Sequence, residues 1–322
     1  MASADGTIQL LFSFASAFLG HWSDSRPHAE PLTVLVRVPA PREFAPMRGE
    51  FMDVGGTRLY YFAAGTRGGG DPVVFLHGFP GSSHGWRELT PLMPDGRRLV
   101  VVDLMGCGRS DGPGGTFARN GTIDEHAGLI RRLMDDLNIP RAAIVGHSLG
   151  GVIAQSIAVH HPDRISALAL LSTPTFDAWP RTLARLARTV RPLAGILGAP
   201  VLASFVHGSA IRGYTDRDSG RRSLDQTLVA YPSRLGTPTL LAHLSALRDP
   251  GIAALGARLG TIRVPTAVIW GADDPFLPAS LGERITAAIP NATLGVIPGA
   301  RHFVAEDAPE QCATIIGHLL NR

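Results

Sequence analysis

Short apolar runs alternate with amphipathic helical patterns along most of the chain. From residue 58 onward, seven runs rich in β-branched and aliphatic residues predict strands, several of them apolar throughout, as strands buried on both faces must be. These runs are residues 58–64, 72–77, 98–104, 142–145, 166–171, 264–270 and 293–297. The clearest helical pattern is residues 122–138, where Thr122 and Glu125 have the spacing of a capping box. The alternation predicts an α/β fold, with a mostly parallel central sheet and helices on both faces.

The alternation is interrupted between residues 176 and 250, an interval that predicts helices and loops and no strand. We therefore expect a helical cap inserted over the C-terminal edge of the sheet. The core then has two parts, residues 51–175 and 251–322. Residues 1–50 mix Ser, Pro and charged residues without a sustained period, which predicts an N-terminal extension.

Residues 8–20 of the extension form an apolar run that is too short for a comfortable transmembrane helix. We expect a buried or interfacial helix here. A signal-peptide core and a membrane anchor are the alternatives, although no Lys or Arg precedes the run and Asp5 does.

Composition narrows the choice of function class. The chain is 45% hydrophobic and 18% charged, which is ordinary for a soluble globular enzyme. The net charge is only +3 and no nucleic-acid reading module is recognisable, so nucleic-acid binding is disfavoured. Two cysteines are too few for a disulfide framework. The expected location is therefore cytoplasmic, with export as the alternative if residues 1–20 act as a signal segment.

The predicted cap is basic, with ten Arg against five Asp in residues 176–250. Arg181, Arg185 and Arg188 share one face of a predicted amphipathic helix whose opposite face is apolar. A solvated face is the plainer interpretation, and attraction of anionic substrates or of a membrane surface is the alternative. Membrane contact through this helix or through residues 8–20 is not favoured, and no pattern in the chain specifies an oligomeric state.

The central chemical signal is Gly-His-Ser-Leu-Gly at residues 146–150, directly after an apolar strand pattern and directly before a helical one. In this strand-turn-helix context the motif is a nucleophile elbow, a strained turn that lifts the serine hydroxyl above the sheet edge. Glycine is needed on either side because the backbone packs closely there. Ser148 is therefore the candidate nucleophile.

From about residue 51 to its C-terminus, the chain resembles the capped branch of the α/β-hydrolase superfamily. His-Gly-Phe-Pro at 77–80 is similar to the oxyanion loop of that family, and the residues from 103 to 110 are similar to its next Gly-rich turn. Gly-Ala-Asp-Asp-Pro at 271–275 resembles the acid turn, and Gly-Ala-Arg-His-Phe at 299–303 the histidine loop. The order Ser, Asp, His is the order expected of this fold.

The resemblance implies a catalytic triad. Ser148 would attack a carbonyl, His302 would take its proton as general base, and Asp274 would orient the imidazole. Backbone N–H groups of Phe79 and Leu149 would stabilise the developing oxyanion. No metal and no organic cofactor is implied.

Some neighbouring residues have plainer interpretations. Asp273 is the alternative to Asp274 as the acid, and is otherwise an ordinary turn residue. Asp103 is expected to support a turn. His147 is simply the variable position of the elbow, and Tyr214 and Tyr231 of the cap need no special cause, although epoxide hydrolases keep two acid tyrosines in theirs.

The motif residues also indicate a subfamily. Relatives that open epoxides or displace halide carry Asp as the nucleophile, whereas this chain has Ser148. Relatives that cut carbon–carbon bonds usually have Asn before the Ser and Trp after the His, where this chain has His147 and Phe303. We therefore expect a hydrolase of small to medium, fairly apolar carboxylic esters or lactones, acting through an acyl-enzyme on a small-molecule ester. The alternatives are a C–C bond hydrolase, a cofactor-free perhydrolase and a ligand receptor that does not turn over.

Overall fold

The computed structural model describes residues 7–12, 32–37, 49–65, 70–113, 121–176, 178, 194–228, 230–231, 236–246 and 251–321. Within these ranges, one sheet contains strands β1 to β10 in chain order. They are Thr7–Phe12, Leu32–Arg37, Glu50–Asp53, Arg58–Ala64, Val73–Leu76, Leu99–Val102, Ala142–His147, Ile165–Leu171, Thr266–Gly271 and Ala292–Ile297. The strands lie in the order β2-β1-β10-β9-β8-β7-β5-β6-β4-β3.

Strands β5 to β10 run parallel to their neighbours among themselves, while β3 and β4 pair antiparallel at one edge. Helices in the described ranges, named α1 to α9, are Ile123–Asp136, Leu149–His160, Ala194–Ala210, Arg217–Leu228, Gly236–Ala246, Gly251–Arg258, Ala279–Ala288, Val304–Asp307 and Pro309–Leu320. The predicted α/β fold with a mostly parallel sheet is confirmed.

The centre of the sheet is buried on both faces, since every residue of β5, β6, β7 and β9 is buried. Val74 and Leu76 of β5 pack into the core beneath α1 and α2, while Val73 and Phe75 pack into the core beneath α9. Side chains alternate in this way because successive residues of a strand point to opposite faces. This packing on both faces fixes the positions of the strand ends from which the loops of the site leave.

The first long helix begins where its sequence predicts. Thr122 Oγ1 accepts the N–H of Glu125, and the Glu125 carboxylate accepts the N–H of Thr122. This reciprocal capping box satisfies two N–H groups that an α-helix leaves without partners.

The helix prediction for residues 8–20 is wrong over the part that the structure describes. Thr7–Phe12 forms strand β1, which pairs antiparallel with β2 over six residues and joins β10 at Phe12 and Gly295. The reason is the partner strand, Leu32–Arg37, whose backbone pairs with the apolar run and whose β-branched Thr33, Val34 and Val36 favour an extended chain. Residues 13–20 lie outside the described ranges.

A helical insertion separates β8 from β9, as the cap prediction requires. Helices α3 to α6 occupy this interval in the described ranges. The bounds at residues 176 and 250 stay a prediction. The helix proposed to carry Arg181, Arg185 and Arg188 lies outside the described residues.

In the part of the chain that is described, the helices are all too short or too polar to cross a membrane.

Three buried histidines are uncharged in this fold. Burial lowers the pKa of His126 to about 3, that of His147 to about 3 and that of His243 to about 4. The Nε2 atom of His126 has no hydrogen-bond partner among the described residues. As the pH falls below about 6.5, these histidines are protonated in the unfolded chain but remain neutral in the folded protein, so acid favours unfolding.

We predict that His126→Leu makes stability less sensitive to acid. Between pH 6.5 and 4, only the unfolded parent binds a proton at this position, which costs about 1.4 kcal/mol of stability per pH unit. On going from pH 7.5 to pH 5, the parent should lose about 2 kcal/mol more than the variant, measured by urea denaturation. His318→Leu, at an exposed position of α9, is the control and should lose as much as the parent. An undiminished acid loss in His126→Leu would contradict the prediction.

Candidate active site

Ser148 lies at a sharp turn between the end of β7 and the start of α2. Its backbone has φ 49° and ψ −113°, a left-handed conformation that non-glycine residues rarely adopt. The Ser148 N–H donates to the carbonyl oxygen of Leu171 on β8, at 2.9 Å. The turn is therefore strained and tied to the neighbouring strand, as a nucleophile elbow requires.

Glycine at the elbow is required by backbone contact. A Cβ atom on Gly150 would lie 2.1 Å from the carbonyl oxygen of Leu76, and one on Gly146 would lie 2.5 Å from the carbonyl oxygen of Gly150. Real side chains do not make such contacts. The start of α2 can thus pack directly against the end of β5.

Asp274 and His302 form a buried hydrogen-bonded pair. His302 Nδ1 lies 2.8 Å from Asp274 Oδ2, and the other carboxylate oxygen accepts the N–H groups of Phe276 and Leu277. Burial alone would raise the pKa of Asp274, but the charge and hydrogen bond of His302 and the two backbone donors outweigh it and lower the pKa. The ionised carboxylate makes Nδ1 the donor, which leaves Nε2 for proton transfer.

The two other carboxylates of the sequence analysis lie apart from this pair. Asp273 is exposed, and its N–H donates to the carbonyl oxygen of Ala300. Asp103 is buried and accepts the N–H groups of Ser83 and Arg109, at 2.6 and 2.8 Å. Asp103 therefore supports a turn, as expected.

The loop after β5 is held against the elbow by His77. Its Nδ1 donates to the carbonyl oxygen of Gly78 at 2.7 Å, and its Nε2 accepts the N–H of Leu104 at 3.0 Å. A Cβ on Gly78 would lie 2.8 Å from the Cβ of Ser148. The backbone that leads into Phe79 is thus brought beside the serine, and Leu149 contributes the first N–H of α2, which has no acceptor within the helix.

His147 links the elbow to the histidine loop. Its Nε2 lies 2.9 Å from the carbonyl oxygen of His302, and the two imidazole centroids are 5.0 Å apart. His147 is the variable position of the elbow motif, and its partner is 155 residues away in the chain. No local pattern indicates this contact.

The cap is anchored to the histidine loop by Glu306. The buried carboxylate accepts hydrogen bonds from Tyr214 and Ser223 of the cap, at 2.8 and 2.7 Å, and pairs with Arg87 of the core at 2.8 Å. Burial raises the pKa of Glu306, and these three donors only partly offset that effect. This anchor was not predicted from the sequence. The signal that could have indicated it is an acidic residue, Glu306, four positions after His302.

The two cap tyrosines that could have acted as acids are engaged elsewhere. The Tyr214 ring stacks on Phe303, with centroids 4.1 Å apart, while its hydroxyl donates to Glu306. The Tyr231 hydroxyl lies 3.0 Å from Nδ1 of His243. Both are buried, which raises their pKa values.

A narrow pocket opens between the loop after β5, the histidine loop and α4. Its lining includes Gly78, His147, Phe303, Tyr214, Thr227 and Glu306. Apolar side chains of Phe79, Leu149 and Phe303 are buried in the same region. In the described ranges, no three His, Cys, Asp or Glu side chains are grouped to hold a metal ion.

A serine elbow and a buried Asp–His pair on loops of a mostly parallel sheet are typical of an α/β hydrolase. The family model of the alpha/beta hydrolase fold matches residues 71–309. This chain belongs to the alpha/beta hydrolase fold family.

The similar proteins catalyse several different reactions. Haloalkane dehalogenase 2 of Mycobacterium tuberculosis is 29% identical over 281 residues, covering 84% of this chain and 94% of the dehalogenase. A 2-hydroxy-6-oxononadienedioate/2-hydroxy-6-oxononatrienedioate hydrolase of Cupriavidus pinatubonensis is 30% identical over 265 residues, covering 77% of this chain and 86% of the relative. An esterase from Thermogutta terrifontis has a similar structure, with a TM-score of 0.70 at 23% identity, over 84% of this chain and 98% of the esterase.

We predict opposite effects of alanine at two glycines. Gly150→Ala should destabilise the protein by about 1–3 kcal/mol, because the new methyl group overlaps the Leu76 carbonyl oxygen and the strand end must move. Gly208→Ala should stabilise by about 0.5–1 kcal/mol, because Gly208 lies within α3 and nothing is within 4 Å of its Cβ position. Denaturant unfolding of the parent and both variants checks the pair. Parent-like stability of Gly150→Ala would show that the close approach is absent.

Proposed function

We propose that this protein is a serine hydrolase that cleaves carboxylic esters through an acyl-enzyme. The observation that carries the proposal is the buried hydrogen bond, 2.8 Å long, from His302 to Asp274. Ser148 lies at a left-handed turn, and the residue before it, His147, contacts the backbone carbonyl of His302. A serine hydroxyl is a weak nucleophile unless a neighbouring base takes its proton. This arrangement supplies such a base with its tautomer fixed.

In the proposed first step, Ser148 Oγ attacks the ester carbonyl carbon while His302 Nε2 takes the hydroxyl proton. The carbonyl oxygen becomes an oxyanion, which the N–H groups of Phe79 and Leu149 stabilise, each worth roughly 3–4 kcal/mol. The imidazolium then gives its proton to the leaving alcohol oxygen as the tetrahedral intermediate collapses. Asp274 stabilises the positive charge on His302 during both transfers.

In the second step a water molecule attacks the acyl carbon, and His302 takes one of its protons. Collapse of the second tetrahedral intermediate returns that proton to Ser148 Oγ and releases the carboxylic acid. The balance of the reaction is one ester and one water giving one acid and one alcohol.

The preferred substrates are small to medium, fairly apolar esters or lactones. Leu149 follows Ser148 directly, and Phe79 and Phe303 lie in the two neighbouring loops; all three apolar side chains are buried. Apolar residues at these positions favour acyl and alcohol groups that gain from leaving water. A serine at the elbow supports acyl transfer rather than the displacement chemistry of the dehalogenase relative. We expect the protein to act in the cytoplasm.

Carbon–carbon bond hydrolysis is the second candidate, because the relative at 30% identity is named as the hydrolase of an oxo-dienedioate. That name does not fix the reaction here, since one fold hosts many chemistries. A panel of p-nitrophenyl esters, lactones and a dienoate cleaved at a carbon–carbon bond separates the two candidates. We expect the highest kcat/KM on an ester or lactone, and a dienoate preference would favour the second candidate.

We predict that Ser148→Ala lowers kcat by roughly 10⁴–10⁶-fold, because no other group supplies the nucleophile. A fluorophosphonate should add one adduct to the parent and none to Ser148→Ala, as seen by intact-mass spectrometry. Ser156→Ala, which changes another buried serine on α2, is the control and should keep both label and turnover. Near-normal turnover of Ser148→Ala, or a label on a different residue, would refute the nucleophile assignment.

We predict that Asp274→Asn loses roughly 10⁴-fold in kcat with its fold intact, because an amide no longer fixes the imidazole tautomer or stabilises its charge. Asp273→Asn is the matched control and should stay close to the parent, since that side chain is exposed. Ester hydrolysis and thermal unfolding of both variants give the comparison. A larger loss in Asp273→Asn would reverse the choice of acid.

A further inference from the structure

The side chain of His147 is enclosed between the elbow and the histidine loop. It is only 6% exposed. Its ring centroid lies 5.0 Å from that of His302 and 5.5 Å from that of Phe303. On the third side, a Cβ on Gly78 would lie 2.8 Å from Nδ1 of His147, so the imidazole fits only because residue 78 has no side chain.

The polar contact of His147 has a fixed direction. Nε2 lies 2.9 Å from the backbone carbonyl oxygen of His302, and a carbonyl oxygen can only accept. Nε2 therefore carries the hydrogen and donates it.

His147 makes this hydrogen bond as a neutral group. Burial, followed by repulsion from His302, lowers its pKa to about 3. A charged ring at this distance would oppose the positive charge that His302 gains when it accepts a proton. The neutral ring holds the loop without that penalty.

The other hydrogen bonds of the histidine loop do not hold the carbonyl group that His147 contacts. The N–H of Arg301 donates to Asp307 Oδ2 at 2.8 Å, and the N–H of Phe303 donates to the carbonyl oxygen of Gly213 at 3.1 Å. These bonds hold the residues on either side of His302. The bond from His147 holds the carbonyl of His302 itself.

We propose that His147 is a positioning residue for the base: its Nε2–H fixes the His302 carbonyl and so aims the His302 imidazole between Asp274 and Ser148. The inference rests on the proposed function, in which His302 is the base. It adds that the residue before the nucleophile controls the orientation of the base.

The test compares His147→Leu with His147→Gln. Leucine removes the donor, so kcat on a p-nitrophenyl ester should fall by roughly 10–100-fold with KM little changed, as a small misplacement of a catalytic group does. Glutamine keeps a side-chain N–H donor and no titratable group, so it should recover most of the lost kcat.

The matched control is Gln155→Leu, which removes another buried donor on α2, bonded to Thr175 at 2.8 Å and outside the site. This variant should lose stability and keep kcat. If kcat/KM fell in proportion to the loss of stability in all three variants, the proposal would be overturned.

Hydrogen–deuterium exchange gives a readout that does not depend on turnover. His147→Leu should speed exchange of the N–H groups of Arg301 and Phe303, whereas Gln155→Leu should not. If the parent hydrolyses no ester and takes no fluorophosphonate label, the proposed function fails while the exchange result still tests the contact. If the parent is active, and His147→Leu keeps both parental kcat and parental exchange, the positioning role is wrong and the proposed function stands.

Discussion

The site depends on one close backbone approach, that of the turn carrying Ser148 to the carbonyl end of β5. There is no room for a Cβ at Gly150 beside the Leu76 carbonyl, nor at Gly78 beside Ser148. The left-handed backbone at Ser148 costs on the order of 1–3 kcal/mol, and it persists because the strand on one side and the helix on the other are buried in the core. The same approach sets the serine, the first N–H of α2 and the loop through Phe79 beside one another.

Around this turn, burial keeps the neighbouring imidazoles neutral. It lowers the pKa values of His77 and His147, so neither ring carries a positive charge near neutral pH. Asp274 stays ionised because it receives hydrogen bonds from His302 and from two backbone N–H groups. Of the imidazoles of His77, His147 and His302, it is that of His302 that hydrogen-bonds to the ionised Asp274 carboxylate.

Local patterns in the sequence predicted much of this arrangement. Strands β4 to β10 are apolar runs that can be recognised without knowing which strands they pair with. The capping box at Thr122 is complete within four residues. Strands β1, β2 and β3, which lie toward the two ends of the sheet, were missed because the sequence does not show which strands they pair with. The contacts of His147 and Glu306 were missed because they join residues 155 and 83 positions apart, and only the folded chain brings these side chains together.

The anchoring of the cap through Glu306 bears on how such a protein can change its substrate range. The segment from His302 to Glu306 carries the proposed base at one end and two hydrogen bonds to the cap at the other, so the cap is not an independent module. A cap grafted from a relative would have to bring its own hydroxyl partners for Glu306, as Tyr214 and Ser223 now provide. Without them, a buried carboxylate would lose two hydrogen-bond donors at a position four residues from the proposed base. Diversification of this scaffold is therefore expected to proceed by changes within α3 to α6 that preserve those two hydroxyls, rather than by exchange of whole caps.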